Sequence, residues 1–166
     1  MQHLRLDQRV QLKRWAVVTG KSTRRPSHRT QWAAQFAVAS ELCKLGYEAA
    51  LTLGNHPYAD LMVRSPTGTP FDIDVEGQYK KGFWVVSPKE KRGGLFYVLC
   101  HVPDRQSNEF FILTQKEMNE EVARHQMESR SRRASQGLAV DKVGLMPGIA
   151  WQKGLQFKDR WDALPK

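Results

Sequence analysis

Between Ala59 and Glu76 the chain carries two short alternating stretches whose pairing is almost dictated by their residues. Ala59-Asp60-Leu61-Met62-Val63-Arg64 and Pro70-Phe71-Asp72-Ile73-Asp74-Val75-Glu76 flank Ser65-Pro66-Thr67-Gly68-Thr69, a link made of turn formers. A turn centred on Thr67 sets Leu61 opposite Ile73, Val63 opposite Phe71, Met62 opposite Asp72 and Asp60 opposite Asp74. Side chains alternate across a strand, so one face of this hairpin is apolar and the other gathers Asp60, Asp72, Asp74 and Glu76. Like charges directly opposite one another repel. Such a hairpin either holds a cation or runs along a solvated edge.

The flanking segments supply a scaffold. Thr30 is placed to cap a helix in which Trp32, Phe36, Ala39, Leu42 and Cys43 recur at helical spacing, with Gly46 as the stop. Tyr47 to Leu53 reads as a strand, and Gly54-Asn55-His56-Pro57 as the loop into the hairpin. Further strands are expected at Gly82–Val86, Gly94–Cys100 (apolar enough to lie inside a sheet) and Glu109–Leu113. Thr114 followed by Glu117 is a capping box. Arg124 to Gln136 has no apolar stripe after Met127 and reads as a loop or a helical extension. The chain closes on Gly148-Ile149-Ala150-Trp151 and a short helix with Phe157 and Trp161. The order predicts an α/β (or α+β) domain over residues 30–166, a central mixed sheet flanked by helices. Residues 1–29 are expected to be a basic arm, with a short helix between Val10 and Thr19.

Charge narrows the partners. Lys and Arg number 26 against 17 Asp and Glu, a net charge of +9, which favours a polyanion and nucleic acid first. Arg24, Arg25, Arg29 and the cluster Arg130, Arg132 and Arg133 are candidate phosphate contacts, as are Lys80 and Lys81 just after the acids. Ordinary solvated charge is the alternative for each. No apolar run is long enough to span a bilayer, and the polar start Met1-Gln2-His3-Leu4-Arg5 lacks a signal-peptide pattern. Cys43 and Cys100 sit in apolar segments and read as buried, reduced thiols, which suits the cytoplasm. His28, His101 and His125 have no ligand spacing, His56 reads as a loop residue beside the acids, and Trp84, Trp151 and Trp161 read as packing anchors.

Paired carboxylates suit a hard cation such as Mg²⁺, for which one or two carboxylates suffice because the ion keeps several waters. On a basic protein this chemistry points to phosphodiester hydrolysis. The element order, the helix-to-strand step at Ala39–Glu48, Tyr58-Ala59-Asp60 and Asp74-Val75-Glu76-Gly77 together resemble the PD-(D/E)XK nuclease superfamily, the restriction-endonuclease-like fold. Trp84 and Trp161-Asp162-Ala163-Leu164 resemble later landmarks of its resolvase-like members. The resemblance implies a nuclease acting on DNA, with Asp60 and Asp74 as ligands of Mg²⁺ or Mn²⁺ helped by the Val75 carbonyl. It is compatible with a homodimer, because two cuts need two sites.

Two positions depart from that pattern. Glu76 stands where the family has lysine, and Gln35 where many resolvase-like members have a metal-facing glutamate; Glu41 falls on another face of the helix. Three accounts of Glu76 stay open. Lys80 or Lys81 reaches back to replace the ammonium, or Glu76 supports a second metal, or cleavage has been lost and a DNA-binding module remains.

Overall fold

The computed structural model describes residues 25–52, 59–86, 88–140 and 146–166. The expected Val10–Thr19 helix, Arg24 and the Gly54–Pro57 loop with His56 lie outside the described residues. Helix α1 (Ser27–Lys44) leads into strands β1 (Glu48–Leu51), β2 (Leu61–Arg64), β3 (Pro70–Gln78), β4 (Phe83–Val85), β5 (Leu95–His101) and β6 (Glu109–Thr114). Helix α2 (Gln115–Ser135), strand β7 (Gly148–Ala150), a short helix α3 (Trp151–Gly154) and two 3₁₀ turns complete the chain.

A five-stranded sheet runs β1-β2-β3-β5-β6, and β4 leaves it to pair with β7 in a separate ribbon. The β3–β5 pair is parallel and the other pairs are antiparallel, so the sheet is mixed as expected. Three pairs of the hairpin register are those read from the sequence: Leu61 faces Ile73, Met62 faces Asp72 and Val63 faces Phe71. The expected Asp60–Asp74 pair is not part of the ladder, which stops at Leu61, and the Asp60 carboxylate turns to the Val75 N–H instead. One sheet face buries Phe71, Ile73, Val75, Val98, Cys100 and Ile112 under Ala34, Val38 and Leu42 of α1. On the opposite face Leu95, Tyr97, Leu99, Phe111 and Leu113 pack with Trp84, Met118, Val122 and Trp151. Hydrophobic side chains cover both faces of interior β5 and of edge strand β6, while β3 is apolar on one side and acidic on the other.

Helix α1 ends as Gly46 predicts. Gly46 has φ +87, its N–H donates to Cys43 O at 3.1 Å, and Tyr47 N–H donates to Leu42 O at 3.0 Å, the paired bonds of a Schellman motif. Its start differs from expectation. The helix begins at Ser27, and the Pro26 carbonyl accepts from Arg29 and Thr30 N–H at 3.1 and 3.3 Å; proline's fixed φ begins the turn and Thr30 is buried inside it. The buried stripe is Thr30, Ala34, Gln35, Val38 and Leu42, not the Trp32–Phe36 row. Gly77 of β3 explains the rotation. A Cβ added there would lie 2.7 Å from Ala34 Cβ and 3.0 Å from Thr30 O, so the helix sits too close to the strand for an aromatic ring, and Trp32 and Phe36 turn outward.

One other expectation changes, and one that held two alternatives is settled for the helix. Cys43 is exposed while Cys100 is buried, because the same rotation carries Cys43 off the sheet. The polar stretch from Arg124 continues α2 without a break to Ser135; good helix formers suffice there, with Ser129 its last buried residue. The Thr114–Glu117 capping box is formed in both directions.

Candidate active site at the end of the hairpin

Strand β2 leaves the ladder at Asp60, while β3 runs on to Gln78. That leaves the outward backbone groups of Val75 and Gly77 without a strand partner, and side chains take its place. Asp60 Oδ2 accepts the Val75 N–H at 2.9 Å. The Gln31 carboxamide spans the next gap: its Nε2 donates to the Val75 carbonyl, and its Oε1 accepts the Gly77 N–H at 3.1 Å. One side-chain amide thus continues the sheet as a peptide unit would. Gln31 Nε2 also approaches Asp60 Oδ2 at 3.3 Å, and Gln35 Nε2 donates to Asp60 Oδ1 at 2.7 Å. Both Asp60 oxygens are therefore aimed by fixed donors.

Asp74 and Glu76 project from β3 on the acidic face, and a cation is delivered to them from an irregular segment before β5. Lys89 Nζ lies 2.7 Å from Asp74 Oδ1, and Arg92 Nη2 lies 3.0 Å from Asp72 Oδ2. Buried Gln115, the first residue of α2, fastens this segment. Its Nε2 donates to Glu90 O at 2.7 Å, and its Oε1 accepts the Arg92 N–H at 2.8 Å.

Burial raises the Asp60 carboxyl above its usual range, with the Asp74 charge adding to the rise and the Val75 N–H, Lys89 and Gln31 opposing it. Asp74 is also raised by burial, opposed by Lys89. Glu76 is pushed up to about 8 by burial and then by Asp74 and Asp60, with Lys89 offsetting part. Burial, Asp74 and Glu76 likewise raise the Tyr97 phenol. The acids therefore feel one another as a single cluster. At neutral pH Glu76 is mostly the neutral acid, so the site carries less repulsion than its residue types suggest.

Of the expected site residues, the structure bonds Gln35 to Asp60 and sets Asp60, Asp74 and Glu76 within reach of one another's charge. Lys80 and Lys81 are engaged elsewhere. Lys80 Nζ lies 5.5 Å from the Tyr79 ring centre, while Lys81 Nζ lies 3.4 Å from Glu109 and 4.6 Å from the Trp151 ring centre. The ammonium beside the acids is that of Lys89. Arg25, Arg29 and Lys80 line a cleft of about 710 Å³ with Tyr79; Arg25 also donates to Val102 O at 2.8 Å and pairs with Asp104. Arg130, Arg132 and Arg133 lie in the last turns of α2, where Arg133 donates to Ala139 O at 3.0 and 3.1 Å.

Lys89, Gln31 and Gln115 escaped sequence reasoning. Gln31 and Gln35 did leave a signal, two amides one helical turn apart on the helix preceding the acids. Among the described residues no three of His, Cys, Asp and Glu form a ready metal cluster, and no helix is long and apolar enough to cross a membrane. Comparison with family models, with curated proteins and with solved structures finds no match to this chain.

Proposed function

We propose that this chain is a metal-dependent, nuclease-like hydrolase of phosphodiester bonds in nucleic acid, DNA first, on a PD-(D/E)XK-like fold. The observation that carries the reading is the Lys89 ammonium 2.7 Å from Asp74, with Asp60 and Asp74 near enough for each charge to act on the cluster. The donor set fits a hard divalent cation: carboxylate oxygens, with one ammonium among several acids. Asp60 and Asp74 would hold Mg²⁺ or Mn²⁺; the Val75 carbonyl, which the family resemblance adds, already accepts the Gln31 amide. When bound, the ion supplies Lewis-acid polarisation of the phosphate and lowers the pKa of water. Gln31 and Gln35 hold the Asp60 carboxylate in one orientation. Lys89 offers an ammonium to the charge that grows on the phosphorane, the task the family gives to the lysine replaced here by Glu76. Arg29 and Lys80 in the neighbouring cleft meet flanking phosphates. Free thiols at Cys43 and Cys100 suit a reducing, cytoplasmic setting.

Nicking of supercoiled plasmid in Mn²⁺, alongside calorimetric titration of Mn²⁺, tests the reading. Asp60→Asn and Asp74→Asn are each expected to abolish both signals; unchanged nicking in the two variants would remove the assignment. Glu76 at the lysine position favours a second reading, a nucleic-acid-binding module without chemistry. Salt-sensitive gel shifts with no nicks at any metal concentration would select it.

A further inference from the structure

We infer that the outward face of α1 seats unpaired nucleobases, so that the polymer served by this site is single-stranded where it crosses the helix. The inference rests on the nucleic-acid reading above and adds the form of the substrate. Trp32 and Phe36 are 39% and 56% exposed, and their rings already lie face to face, with centroids 5.6 Å apart and planes 25° from parallel. Scattered exposed apolar residues are ordinary. A pre-stacked aromatic pair on a helix whose next row of residues lines a basic cleft is not.

Its neighbours indicate what covers it. On one flank of the pair stand Gln31 and Gln35, bonded to Asp60. On the other stand Arg29 and Ala33, which line the basic cleft with Tyr79 and Lys80. At about 100° per residue, Trp32 and Phe36 fall between these two rows. From Arg29 to Phe36 the helix rises roughly 10 Å, enough for one or two nucleotides whose phosphates meet the cations while their bases lie on the rings. A duplex keeps its base faces stacked inside and cannot offer them to a helix surface; unpaired bases can, and every base has a π-face. A second copy of the chain would set basic cleft beside basic cleft on molecules of charge +9, which argues against self-association through this face.

The test measures fluorescence anisotropy of labelled oligothymidine and of a duplex, each about 20 nucleotides long, across a salt series without divalent metal. The full chain is compared with Trp32→Ala/Phe36→Ala, at a temperature well below the thermal midpoint measured for each protein, since Trp32 is 39% exposed and its loss also removes packing. The wild type is expected to prefer oligothymidine. The variant is expected to lose about 10- to 100-fold in that affinity at every salt, with the salt slope and the duplex affinity unchanged. Arg29→Gln/Lys80→Gln is expected to flatten the slope instead. Unchanged oligothymidine binding, an equal loss on both ligands, or a wild-type dimer that the variant dissociates would overturn the inference. Asp74-dependent nicking of duplex without single-strand preference would overturn it alone. Binding to neither polymer would overturn the nucleic-acid reading with it.

Discussion

Glu76 provides a stability measurement whose sign and size follow from the site. Its carboxyl ionises near 4.5 when unperturbed and near about 8 in the folded site, where burial is the largest cause. Between those pH values the folded chain holds a proton that the unfolded chain releases, so unfolding becomes easier as pH rises. The contribution is complete below about pH 4.5 and gone above about pH 8. At about 1.4 kcal/mol per pH unit the whole span is worth on the order of 5 kcal/mol. Water reaching the half-buried Glu76 side chain reduces the measurable part to about 2 kcal/mol. Urea unfolding in EDTA at about pH 5.5 and about pH 8.5 checks this. Wild-type stability should fall across that interval, whereas Glu76→Gln should fall less, its remaining slope coming from Asp60 and Asp74, which are also raised. The variant should then exceed the wild type by about 2 kcal/mol at the higher pH. Parallel profiles for the two proteins, or wild-type stability that climbs with pH, would refute the account of the cluster.

Gln31→Ala removes the partners of the Val75 carbonyl and the Gly77 N–H and should cost about 2–3 kcal/mol, read as a thermal midpoint lower by about 5–10 °C; a loss below about 0.5 kcal/mol would mean the amide is not standing in for a strand. Lys89→Met should abolish nicking while Mn²⁺ binding persists, and adding Glu76→Lys in that background should restore cleavage; failure of the folded double variant to nick would show that the ammonium beside Asp74 is not what the reaction lacks.

How much of this was legible depends on how local the cause is. The hairpin register follows from alternation and one turn, so Leu61–Ile73 and Met62–Asp72 could be paired from sequence. The Thr114 capping box and the Gly46 stop are encoded within a few residues of themselves. The orientation of α1 was not legible, because it is set by contact between Ala34, Thr30 and a glycine on a distant strand. Nor was Lys89, which reaches Asp74 from irregular chain whose path depends on Gln115 of another element. The ribbon of β4 and β7 joins Phe83 to Ala150, a separation no periodicity spans. Lys80 and Lys81 looked closer to the acids in sequence than Lys89. The strand's own continuation carries the first toward Tyr79 and the second toward Glu109.

The Gln31 amide joins the helix to the sheet at the place where Asp60 is aimed. Without α1 on the sheet, the rim of β3 loses its amide and Asp60 keeps only the Val75 N–H. Helix docking and the bearing of that carboxylate are therefore one event, and a change that loosens the helix is felt at the acid.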